Sequence, residues 1–447
     1  MIKRSLVQLL ALLLATAVSC RIAAAQEPKP YRLSLRDAIQ RGLQANLSVL
    51  VADTRVEEAE GTRTRRLSAA VLPRVTGQSY ANLQNRSLEA FGISAPGFPA
   101  VVGPFSNYDF RLYAQQNIFD LSTYRSWKAS KRALDASKMD YQDARDLIIR
   151  SVASLYLNGQ SAQARVEAAQ TRVTDSATLY QLASDKHGAG TATGVDVLRA
   201  RVVLANDKQA LLVAQNQYKQ ALLALARNLG MSPATPLELA ETLHYQPVTE
   251  PQAEGVVASA LLGRPDYLSL ASQRQELIEQ QRSSRARYFP KFSVNGNYGE
   301  LGRSVGGALG TGLIQGQMDI TLFDRDRSGE AQVLASRLKR VDDQIADLRR
   351  GIEEDIREAL LNLESAANQV AVAKDGQDLA QRELEMAQDR FRAGTTNNVE
   401  VVTAQDELAR AQENYILAVS SHVDAKFALA RAAGGTEKNI DQYLSAP

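Results

Sequence analysis

The chain matches itself, and no other feature restricts its architecture as much. Asn117-Ile118-Phe119-Asp120 falls on Thr321-Leu322-Phe323-Asp324, 204 residues further on. At the same offset Ala189-Gly190-Thr191 meets Ala393-Gly394-Thr395, Val195-Asp196-Val197 meets Val399-Glu400-Val401, and Leu229-Gly230 meets Ala433-Gly434. An offset that holds from Asn117 to Gly230 means that two units share their element lengths without insertions. Further upstream, Leu72-Pro73-Arg74 matches Phe289-Pro290-Lys291 at an offset of 217, so the first unit carries 13 extra residues between its proline and its Phe-Asp. Solenoid repeats run to about 20–50 residues, so a period this long marks a duplicated domain. The division read from it is a first repeat over 26–230, a connector over 231–254, a second repeat over 255–434 and a tail over 435–447.

Within each repeat the apolar period changes. Ile148, Val152, Leu155, Gly159, Ala162, Val166, Ala169 and Val173 follow one another in steps of four and three, the spacing of a coiled-coil seam. Ile345, Leu348, Ile352, Ile356, Leu360 and Leu363 do so more loosely in the second repeat. No proline interrupts Ser122 to Lys186 or Asp326 to Arg392. At 1.5 Å per residue each stretch gives ~100 Å of helix. Each ends at a glycine-bearing turn, and a second helix is expected to return over about 195–229 and 399–433. Small seam residues, in a chain with 66 alanines, let such helices pack closely and leave no room for a large cofactor.

Between proline and Phe-Asp the period becomes two. Val75, Gly77, Ser79, Ala81 and Leu83 alternate with Thr76, Gln78, Tyr80, Asn82 and Gln84. Tyr108, Phe110, Leu112 and Ala114 alternate with Asp109, Arg111, Tyr113 and Gln115. The second repeat sets Phe292, Val294, Gly296 and Tyr298 against Ser293, Asn295 and Asn297, then Ile314, Gly316, Met318 and Ile320 against Gln315, Gln317 and Asp319. Strands are expected at about 74–84, 107–118, 291–299 and 313–322, with Asn85–Ser106 and Gly302–Gly312 as external loops. Segments of about ten residues with this alternation and aromatic ends are the signature of membrane barrel strands.

The N-terminus and the composition narrow the function. Lys3 and Arg4, the apolar run Leu6–Val18 and Ala23-Ala24-Ala25 form a signal peptide over 1–25, with Gln26 as the new N-terminus. Ala17-Val18-Ser19-Cys20 offers a weaker alternative, a lipobox in which Cys20 is lipidated. No later stretch reaches the ~18–20 apolar residues of a membrane helix, so a mature chain that enters a membrane does so with strands. A formal charge of +2 lacks the basic excess of a nucleic-acid binder. One cysteine excludes a disulfide framework, and His187, His244 and His422 share no metal-ligand spacing, so neither metal nor cofactor is expected. Gly188-Ala189-Gly190 follows a helix and lacks the Gly-Lys-Ser/Thr ending of a phosphate loop. The acidic runs Glu57-Glu58 and Glu353-Glu354-Asp355 lie among arginines and suit solvated helix faces. No catalytic constellation is present.

Four strands cannot close a barrel. Unpaired backbone groups in hydrocarbon cost several kcal/mol each, and the smallest membrane barrels have about eight strands. Two strand pairs per chain therefore force association into two, three or four copies, with the polar residues lining a bore. The class expected is mixed and mainly α, with long helical hairpins and four transmembrane strands per chain.

Leu33-Ser34-Leu35-Arg36-Asp37-Ala38-Ile39 with Asn46, the helix-proline-strand junctions at Pro73 and Pro290, the paired Phe-Asp junctions, Arg264-Pro265-Asp266 and the two glycine tips together resemble the TolC-like outer membrane efflux proteins. The resemblance runs from about Tyr31 to Gly434. It implies a homotrimer, hence a twelve-stranded barrel continued by a periplasmic α-barrel, in the outer membrane of a Gram-negative-type bacterium. It also implies a periplasmic membrane-fusion adaptor and an inner-membrane exporter of the RND, ABC or type I secretion kind. Gly188, Ala189, Gly190 and Thr191, with Ala393, Gly394 and Thr395, become candidates for adaptor docking. Asp196 and Glu400, at equivalent helix starts, become gate candidates together with Phe391. A ring of such carboxylates selects cations; alternatively each complements the positive end of its own helix. The chain departs from the family where Leu121 and Arg325 follow Phe-Asp in place of glycine. Thr403 stands at an acidic gate position, and Phe391 and Thr396 stand where the gate tyrosine and arginine usually lie. The function expected is a passive exit duct; the alternative is an exported coiled-coil adaptor or scaffold that stays out of the membrane.

Overall fold

A computed structural model describes residues 30–94, 96–97, 99–248 and 251–437. The expected signal peptide, Cys20 and the end of the tail lie outside the described residues. The chain forms two compact units, Leu50–Ala144 with Glu254–Asp355, and Met1–Val49 with Arg145–Ala253 and Ile356–Pro447. Neither unit is a repeat. Each draws segments from both repeats, because helices this long run out of one unit and into the other.

The first unit holds the sheet. Strands β2 (Arg74–Ser87), β3 (Val101–Phe119), β5 (Lys291–Gly302) and β6 (Leu309–Asp319) pair antiparallel in that order, leaving β2 and β6 as open edges. The register sets Tyr80 opposite Asp109, Tyr113 opposite Asn297, and Asn295 opposite Gln315. Since side chains alternate along a strand, this gathers the polar set on one face. The opposite face carries Val75, Phe110, Leu112, Tyr298, Ile314 and Met318, all strongly exposed, with Ile314 at 86%. Gly299 permits the β3–β5 approach: a Cβ there would lie 2.1 Å from the carbonyl oxygen of Phe110.

Several strand limits differ from expectation. The segment taken as a loop over Asn85–Ser106 is strand at both ends, because β2 runs on to Ser87 and β3 starts at Val101. A register shift between Gln84 and Arg86 breaks the alternation that would have revealed it. Conversely, β6 starts at Leu309 and stops at Asp319, short of Ile320-Thr321-Leu322. Its last partner is Lys291. The residue before Lys291 is Pro290, which has no N–H for a further rung.

Around the sheet lie parts of α2 (Leu47–Val71), α3 (Leu121–Gly188) and α7 (Asp326–Ala393), with α5 (Ala253–Gly263) and α6 (Pro265–Ala286). Arg264, only 5% exposed, opens α6 by pairing with Asp266 at 2.7 Å and Asp355 at 2.9 Å. No helix among the described residues is long and apolar enough to cross a membrane.

The second unit is helical. It contains α1 (Leu35–Ala45), α4 (Gly194–Asn228), α8 (Asn398–Ala433) and the remainders of α3 and α7, with a short parallel pair of β1 (Tyr31–Leu33) and β4 (Leu237–Leu239). Ser34 caps α1 by accepting from Asp37 N–H. One core joins Leu33, Ile39, Ile149, Val152, Tyr156, Leu225, Leu229 and Leu239. Tyr156 is fully buried, with its hydroxyl 3.0 Å from the carbonyl oxygen of Leu33 and 2.7 Å from Glu241 Oε2. Burial, reinforced by Glu241, pushes this phenol well above its ordinary range. Tyr156→Phe removes the hydroxyl's hydrogen bond, while Ala240 N–H still meets the Leu33 carbonyl and Leu35 N–H still meets Glu241, and should cost about 1 kcal/mol. The check is a lower midpoint in thermal circular dichroism at the helix band, with the folded spectrum unchanged.

Candidate functional site

The hairpin tips of the helical unit gather the residues that the sequence marks. Helices α3 and α7 end alike. Gly190 and Gly394 take positive φ of 76° and 78°, which glycine adopts without strain. Thr191 N–H then reaches back to the carbonyl of Lys186 at 2.8 Å, and Thr395 N–H to that of Arg390 at 3.0 Å. The two threonine hydroxyls donate to the same carbonyls, each at 3.1 Å. These closures satisfy carbonyls that a helix end leaves free. The expected docking residues Gly188, Ala189, Gly190, Thr191, Ala393, Gly394 and Thr395 are all exposed.

The returning helices begin differently. Thr193 caps α4 in a reciprocal box with Asp196: the Thr193 hydroxyl accepts from Asp196 N–H at 3.3 Å, and Asp196 Oδ2 accepts from Thr193 N–H at 3.0 Å. The Thr193 hydrogen bonds, with Arg199 3.4 Å away, hold the Asp196 carboxyl below its usual range. Asn397 caps α8, and Glu400 pairs with Arg390 at 2.9 Å while accepting from the Thr396 hydroxyl. Each carboxylate is thus engaged by its own tip.

Three residues that the sequence did not single out tie the hairpins together. Asn398 is wholly buried; its Oδ1 accepts from Arg199 Nη1 at 2.7 Å and its Nδ2 donates to the Asp196 carbonyl at 2.7 Å. Lys186 Nζ donates to the Arg392 carbonyl at 3.2 Å and lies 5.2 Å from the Phe391 ring centroid. Beneath them Leu179, Ala183, Ala200, Leu384, Ala387, Phe391 and Val401 form one core. Phe391 is a packing residue there, 4% exposed. One signal for Asn398 did exist: the 204-residue offset puts it opposite Gly194, so the repeat symmetry breaks at the position that makes the link. The histidines are apart, with His187 inside the first tip against the Ala192 carbonyl, His244 in a turn and His422 in the core. No group of side chains among the described residues could hold a metal ion.

Asn398→Ala should loosen both tips without unfolding the hairpins, seen as faster amide exchange at 186–200 and 390–402 only. Because the folded Asp196 carboxyl sits below its ordinary value, its share of tip stability is complete above the usual carboxylate pKa of about 4 and fades as pH falls through the depressed value. Protection in the first tip, taken relative to the intrinsic exchange rate at each pH, should therefore fall on acidification, and Asp196→Asn should remove that dependence.

Comparison with known proteins bears on this arrangement. The model of the family described as "Outer membrane efflux protein" matches residues 38–231 and 256–435. The pyoverdine export outer membrane protein OpmQ of Pseudomonas aeruginosa is 22% identical, over 92% of this chain and 87% of its own length. The toluene efflux pump outer membrane protein TtgC of Pseudomonas putida is 23% identical, over 90% and 83%. Among solved structures, the Campylobacter jejuni CmeC outer membrane channel superposes with a TM-score of 0.77 at 18% identity, covering 92% of this chain and 89% of that one. The Vibrio cholerae outer membrane protein VceC gives 0.76 at 18%, covering 90% and 96%. The family match takes in both repeats, their strands and both tips, and the chain belongs to the outer membrane efflux protein family.

Proposed function

We propose that the chain is one share of a passive exit duct that carries substrates across the outer membrane and is closed by three copies. The observation that carries this is the open four-stranded sheet, polar on one face and apolar on the other, with the outer edges of β2 and β6 both unpaired. In hydrocarbon such edges have to find strands, and β6 of one copy can meet β2 of the next. Three copies supply twelve strands, within the range of membrane barrels. The helices support the same association. Leu361, Val372, Leu379 and Met386 leave an exposed stripe at heptad spacing on α7. Leu198, Val202, Leu212 and Leu223 leave another on α4. Unpaired coiled-coil seams of this length bury themselves against a neighbour.

In the assembled duct the tips around Gly188–Thr191 and Ala393–Thr395 dock a periplasmic membrane-fusion adaptor, which couples the duct to an inner-membrane exporter of the RND or ABC kind. Exposed backbone at glycine turns suits recognition by a partner's helical hairpin. Asp196 and Glu400, three copies each, ring the periplasmic mouth and favour cations. The duct performs no chemistry of its own, and its cargo is set by the pump it serves; the relatives' names, which mention pyoverdine and toluene, accord with one wall serving different cargoes.

The decisive measurement is the mass of the protein purified from outer membranes in mild detergent. A three-chain particle that inserts in planar bilayers and conducts ions is the expected result. A stable monomer without lipid-embedded sheet, recovered from the soluble periplasm, would sink the duct reading and favour the scaffold. In the conducting form, Asp196→Asn combined with Glu400→Gln should lower the cation-to-anion permeability ratio measured by reversal potential. An unchanged ratio would remove these residues from the gate.

A further inference from the structure

A small cavity of about 180 Å³ lies in the helical unit, between the segment after β4 and the last turns of α8. It would hold about six waters at their liquid volume of ~30 Å³ each, which is the room a small organic molecule needs. Lys426 lines it and is only 7% exposed. Among the described residues its ammonium makes no hydrogen bond or ion pair. Its stem is enclosed while the ammonium keeps access to the cavity, with no protein anion bonded to it. One turn earlier, His422 is 1% exposed, with its ring 4.7 Å from that of Tyr245 and its Nδ1 unpartnered. Burial holds the Lys426 amine below its ordinary range, and burial together with Lys426 does the same for His422.

The other charged and titratable groups at the cavity leave Lys426 to itself. Glu241 is occupied by the Tyr156 hydroxyl at 2.7 Å and Leu35 N–H at 3.0 Å. His244 is engaged on both ring nitrogens, Nδ1 3.0 Å from the Thr242 carbonyl and Nε2 3.0 Å from Gln246 Nε2. Arg36 is exposed at the rim. Leu35, Leu243 and Phe427 supply apolar wall. Lys426 with Arg36 at the rim, set against the Glu241 carboxylate, leaves a single net positive charge, which beside the apolar wall suits a monoanion with a hydrocarbon body better than a dianion such as phosphate.

We propose that this cavity binds a small organic carboxylate, its head on the Lys426 ammonium and its body against Leu35, Leu243 and Phe427. The site stands independently of conduction through the duct. The test is calorimetric titration of the full chain in detergent with benzoate, and with benzamide as the uncharged match. Benzoate should saturate one site per chain, and benzamide should bind about tenfold more weakly or worse. Lys426→Met keeps the side-chain volume and should lose benzoate by a similar factor with the helix signal intact. Should that variant fold poorly, Leu243→Trp, which fills the cavity from the side facing solvent, should abolish uptake instead. Equal binding of benzoate and benzamide, undiminished binding by a folded variant, or no saturable uptake by the parent would each overturn the proposal.

Discussion

An unpaired peptide group cannot be left in hydrocarbon, and that constraint shapes everything else in this chain. The sheet is amphipathic across its thickness yet unfinished at both sides, so its stability in a membrane depends on strands that the chain does not contain. The helices inherit the same condition, since their outward stripes have the spacing of seams without partners. In the duct proposed above, closure of the wall and burial of the stripes are aspects of one event, association with further copies.

At the hairpin tips the chemistry is that of helix termini. Each tip is closed by the same glycine conformation, the same backward N–H and the same threonine hydroxyl, so turn geometry was retained in both repeats. What differs is the side chain that begins each returning helix. Gly194 is neutral in the bargain between hairpins, whereas Asn398 is fully buried and bonded to the other hairpin through both ends of its amide. The carboxylates Asp196 and Glu400 are first of all local: one completes a cap and the other an ion pair.

Much of this was legible in the residues. Long proline-free stretches, heptad steps and glycine turns pointed to the helices, because each follows from backbone geometry within a few residues. The alternation over Thr76–Gln84 and Asp109–Gln115 gave the faces of the sheet for the same reason. Legibility ended where structure depends on a second segment. The bulge at Gln84–Arg86 hid the outer part of β2 and β3, and the end of β6 depended on the proline just before β5. The roles of Asn398, Arg199 and Lys186 depended on which helix lies beside which. Phe391 shows the limit from the other direction: its position suggested a passage, while its neighbours make it core.

The interleaving of the repeats has a consequence for the origin of the fold. Neither half of the gene encodes a body that could fold unaided, since each compact unit is composed of both halves. For the three-copy ring proposed above, a half-length ancestor would have needed six identical protomers, with every hairpin equivalent to the next. Fusing two such genes halved the number of protomers and made neighbouring hairpins chemically distinct, which is the condition under which a lone asparagine could become a latch at every second junction.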